Sequence, residues 1–74
     1  MLYLVTKEHA VSERVYFMTL TTDFEEAKKL IANGPGAGKQ PLEWNNTDRI
    51  DLLGKAVHTV IGSWTYIIYF LYLG

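Results

Sequence analysis

Residues 48–61 read DRIDLLGKAVHTVI, and two incompatible folds can be drawn through them. As a helix, Ile50, Leu53, Val57, Val60 and Ile61 would line one face, Asp48 and Asp51 would suit the N-terminal turn, and Gly62 would cap the end. As strands, Gly54-Lys55 and Gly62-Ser63 are two Gly-X pairs eight residues apart, the signature of type II′ hairpin turns. The helix would carry Gly54 at its middle, at a cost of about 1 kcal/mol, and would crowd β-branched Val57, Thr59, Val60 and Ile61 into its last turns. A meander of strands is the preferred reading. It sets Asp51 opposite His58 across the first turn, a cross-strand surface pair that sheet geometry explains without catalysis or metal binding.

Working outward, the next segment, WTYIIYFLYL at 64–73, is a strand on either reading. Trp64, Tyr66, Ile68, Phe70 and Tyr72 point to one face, and Thr65, Ile67, Tyr69, Leu71 and Leu73 to the other, so that neither face is polar. Towards the N-terminus, LYLVTKE at 2–8 and RVYFMTLTT at 14–22 are strands joined by a connection short enough for an antiparallel hairpin. Between them and the loop lies Thr22-Asp23-Phe24-Glu25, which has the spacing of a capping box. Phe24, Ala27, Leu30 and Ile31 then form an apolar stripe, with Glu25 four residues before Lys29, and Asn33-Gly34-Pro35 ends the helix with Gly in a left-handed cap. The helix is expected over 23–32. Residues 34–47, GPGAGKQPLEWNNT, are loop with a short extended piece near Leu42-Glu43-Trp44, and the indole of Trp44 should fold the loop back onto the body.

These elements make an α+β fold. A small, mostly antiparallel sheet of four or five strands, in ββαβββ-like order, carries one helix on one face within a single domain, 1–74. A ten-residue strand that is apolar on both sides needs cover on both. The helix is expected against the Ile67, Leu71 and Leu73 side, leaving the row Trp64, Tyr66, Ile68, Phe70 and Tyr72 as the surface for self-association or partner binding.

Composition narrows the function. The 74 residues contain no cysteine, so disulfides cannot supplement a small core, and a partner subunit is the remaining supplement. Seven Lys or Arg balance eight Asp or Glu, with no basic stripe, which argues against nucleic acid as the partner. All fifteen of these side chains lie in residues 1–55. The uncharged stretch 56–74 is long enough for a membrane span, but His58, Thr59, Gly62, Ser63 and Thr65 and the scattered aromatics argue against one. No export signal is legible at the start, so the expected location is the cytoplasm. GPGAGKQ at 34–40 lacks the Walker spacing and runs into Pro41, so no phosphate loop is expected. With isolated histidines and no paired carboxylates, neither an enzyme nor a cofactor is expected. The residues point to a non-enzymatic interaction protein, expected as a homodimer or higher homo-oligomer. Rival readings are a single-strand nucleic-acid or nucleotide binder stacking bases on Trp64, Tyr66 and Phe70, and a membrane-anchored small protein.

The arrangement of TTDFEEAKKLIA at 21–32, a loop ending in PLEW at 41–44 and the last strand WTYIIYFLYL resembles that of small bacteriophage-encoded proteins. The resemblance covers most of the chain and lies in the order of elements. It implies a stoichiometric inhibitor that obstructs a host or defence-system protein, such as a CRISPR effector, in the host cytoplasm. No site residue carries over from it.

Overall fold

The structure is a computed structural model that describes residues 1–34, 42–47 and 55–72. Strand β1 spans Leu2–His9, β2 Val15–Thr21, helix α1 Phe24–Ala32, β3 Asn45–Asn46, β4 Ala56–Ile61 and β5 Trp64–Leu71. The strands form one five-stranded sheet in the order β2-β1-β5-β4-β3, with every neighbouring pair antiparallel. The ββαβββ order expected from the sequence is the order observed.

Strand β5 is apolar on both sides because it sits in the middle of the sheet, hydrogen-bonded to β1 and to β4. The β4–β5 hairpin closes through Gly62-Ser63, with Ile61 paired to Trp64. Gly62 takes φ 62 and is the only described glycine with positive φ. Positive φ confined to the first of two loop residues is what a type II′ turn requires. The meander reading therefore holds for 56–71. Its first turn, Gly54-Lys55, involves residues 48–54, which lie outside the described set. The strand laid against β4 is not the expected one: Asn45 pairs with His58 and Asn46 with Val57, so Asn45 holds the position assigned to Asp51.

Helix α1 starts one residue later than the capping box implied. Asp23, not Thr22, is the N-cap, and its carboxylate accepts from the backbone N–H of Glu25 at 2.9 Å and of Glu26 at 3.3 Å. Thr21 braces this turn by accepting from the Asp23 N–H and donating its hydroxyl to Glu26 Oε2. The ion pair on the helix surface joins Glu25 to Lys28 at 3.1 Å. At the other end Asn33 is the C-cap in right-handed geometry, and the Gly34 N–H donates to the Ile31 carbonyl. Gly34 does not adopt the left-handed conformation expected of it; a Cβ there would lie 3.3 Å from that same carbonyl oxygen.

The helix does not cover the Ile67 and Leu71 side. Ala27 and Ile31 pack with Val5, Tyr66 and Ile68, while Phe24 sits 5.3 Å from the Tyr3 ring and 5.2 Å from the Phe70 ring. Tyr66, Ile68 and Phe70 of the aromatic row thus form the floor of the core, and Leu42 and Trp44 fold back onto the same cluster, as expected for Trp44. Crossover handedness supplies the physical reason. Successive antiparallel pairings make β2 and β3 parallel at opposite edges of the sheet, with α1 in the connection between them. Such connections are right-handed, and with β2 at this edge a right-handed crossover passes over the face that carries Tyr3, Val5, Ile68 and Phe70.

Candidate functional site

Pairing register sorts the side chains into two faces. On the helix face lie Tyr3, Val5, Lys7 and His9 of β1, opposite Phe70, Ile68, Tyr66 and Trp64 of β5. On the far face lie Leu2, Leu4, Thr6 and Glu8, opposite Leu71, Tyr69, Ile67 and Thr65, continued by Ala56, His58 and Val60 of β4 and by Val15, Phe17 and Leu20 of β2.

The far face is buried at its centre, where Ile67 and Ala56 are covered, and exposed at its flanks. Val15 is 57% exposed, Phe17 67% and Leu20 49%, all on edge strand β2, and Val60 on β4 is 62% exposed. Val15, Phe17 and Leu20 form one exposed apolar strip along β2, and Val60 stands apart from it on the other flank, with Glu8 and Thr65 between. Among the described elements α1 is the only helix, and it packs on the other side. Thr6 and His58 flank Ile67 in one cross-strand row, and two of their buried polar atoms, Thr6 Oγ1 and His58 Nδ1, have no hydrogen-bond partner among the described residues.

The five residues expected to form a binding row are dispersed. Tyr66 and Ile68 are buried in the core, and Phe70 is edge-on to Tyr3 and Phe24 within it. Tyr72 is 70% exposed beyond the end of β5. Trp64 is half-buried at the hairpin end of the helix face, 4.8 Å from the His9 ring and 5.9 Å from the Tyr16 ring, with Lys7 Nζ 4.7 Å above its own ring. Of the three rings proposed to stack bases, Tyr66 and Phe70 are therefore spent on the core, and Trp64 already carries a cation. The exposed apolar residues of β2 were not singled out from the sequence. Their signal was present in VYFMTLT, which contains no charge and is as two-sided as β5.

One of the two histidines is engaged in the β1–β2 hairpin loop. His9 Nδ1 accepts from the Val11 and Ser12 N–H groups at 3.3 and 3.4 Å, holding the hairpin loop in which Glu13 takes φ 58. A cavity of about 370 Å³ beside this loop is lined by Glu8, His9, Ala10, Glu13 and Thr65. Among the described residues no three His, Asp or Glu side chains gather as metal ligands would, and no helix is long and apolar enough to cross a membrane. The GPGAGKQ segment from Pro35 onward and Leu73 lie outside the described residues. Compared with protein-family models, curated proteins and solved structures, the chain gives no match.

Proposed function

We propose that the protein is a non-enzymatic binding module that holds another protein against the far face of its sheet and acts by obstructing that partner's surface. The observation that carries this reading is the exposed apolar set Val15, Phe17, Leu20 and Val60 on a face that α1 does not cover. Burying an exposed side chain of this kind contributes about 1 to 2 kcal/mol, so the three on β2 can anchor an interface that a partner spanning the face extends to Val60. A phage-type inhibitor of a host or defence-system protein is the finer form of the proposal, and it draws on the arrangement of elements.

The test is differential capture by the immobilised chain. Proteins retained from a host lysate by the wild type should be lost with Val60→Asp and kept with Lys29→Glu, an exposed change on α1. Retention unaltered by Val60→Asp would remove the far face from the reading.

A further inference from the structure

The two edges of the sheet differ. One ends in β3, two polar residues long, whereas the other ends in β2, seven residues with no charge, proline or glycine and, among the described residues, with one side unpaired. An uncharged apolar edge of that length is a template for another strand. We propose that the occupant is β2 of a second copy of this chain, paired antiparallel about a two-fold axis that passes between Met18 and Thr19.

The bulge in β2 restricts the register, and the placing of Arg14 beside Asp23 selects among what remains. His9 donates its N–H to the Arg14 carbonyl, and backbone groups alternate along antiparallel strands, so Arg14, Tyr16, Thr19 and Thr21 turn their backbones towards β1. Val5 pairs with Thr19 and Thr6 with Phe17, which makes Met18 the extra residue. The outward-facing backbones are then those of Val15, Phe17 and Leu20. In a regular strand Phe17 and Leu20 would face opposite ways; with the bulge they share an orientation, and each can hydrogen-bond to the other across the two-fold. Both side chains also lie on the far face, as an antiparallel pair demands.

Charge and shape fit the same register. It lays exposed Arg14 of one copy beside Asp23 of the other, at the acidic start of α1 where Glu25 and Glu26 follow. It sets Tyr16 opposite Thr21 of the other copy, on the side of the sheet where a groove of about 200 Å³ runs between β2 and α1, lined in part by Thr19, Thr21 and Leu30. A two-fold axis perpendicular to the sheet keeps both helices on one side. The product is a ten-stranded sheet whose far face carries Val15, Phe17 and Leu20 twice at its centre. The pairing uses the strand edge and does not depend on what docks on that face.

Light scattering on the intact chain should give twice 8.5 kDa, and Arg14→Glu, which sets a carboxylate beside Asp23 of the copy, should return the mass to 8.5 kDa with the fold intact. Register is read with single-cysteine variants, since the chain has no cysteine of its own. Mixed under mild oxidation, Phe17→Cys and Leu20→Cys should form a covalent dimer in large excess over either variant alone, because paired Cα atoms lie about 5.5 Å apart and those of two copies of position 17 do not. A monomer at all concentrations overturns the proposal. So does a dimer in which the mixed pair shows no advantage. Val60→Asp should leave the dimer mass unchanged, which separates this pairing from the far-face reading.

Discussion

Thr6 is placed in a strand by the sequence, which does not tell its burial. The β1 sequence turns polar from Thr6 onward, yet Thr6 is 7% exposed and its hydroxyl has no hydrogen-bond partner among the described residues. Alternation tells which face a side chain is on and says nothing of what lies beside it; here the neighbour is buried Ile67. A buried hydroxyl without a hydrogen bond loses its hydration for no return. Thr6→Val, similar in shape and at least as suited to a strand, should therefore raise stability by about 1 kcal/mol. In chemical denaturation the midpoint should move up with an unchanged slope. A fall in the midpoint would mean that the hydroxyl has a role the geometry does not explain.

At the scale of elements, the expected stripe of Phe24, Ala27, Leu30 and Ile31 was legible for three of its four residues because it belongs to α1 alone, while Leu30 is 42% exposed and lies outside the core cluster. The cap was legible only to within one residue. TDFEE satisfies the capping spacing twice, from Thr22 to Glu25 and from Asp23 to Glu26, and the stronger acceptor takes the position. Asp23→Ala should cost about 1 kcal/mol of stability, while Thr22→Ala should stay within about 0.5 kcal/mol of the parent in the same thermal or chemical unfolding experiment. A larger loss for Thr22→Ala than for Asp23→Ala would return the cap to Thr22. The β4–β5 hairpin was legible through Gly62, whose left-handed φ the turn needs. Strand β3 was not, since Asn45 and Asn46 carry no strand propensity and are extended only because β4 offers them partners.

For the whole molecule, the sequence named every long strand and still could not say which face of β5 the helix covers. With Trp64 to Tyr72 on one side and Thr65 to Leu71 on the other, both apolar, the usual inside-outside alternation carries no sign. The deciding facts are the strand order and the handed crossover between β2 and β3, and both are properties of the assembled sheet. The face assignment underlies the binding reading, so the most direct test compares one charge on each face. Equilibrium unfolding of Tyr66→Glu and Phe17→Glu makes that comparison, with far-UV circular dichroism reporting the fold. Tyr66 lies in the core and Phe17 on the exposed far face. Tyr66→Glu should lose about 4 kcal/mol or more, enough to leave a domain of this size unfolded, whereas Phe17→Glu should remain folded, at a cost of about 1 kcal/mol in strand propensity beside any loss of self-association. A folded Tyr66→Glu beside an unfolded Phe17→Glu would place the helix on the other face and contradict the account.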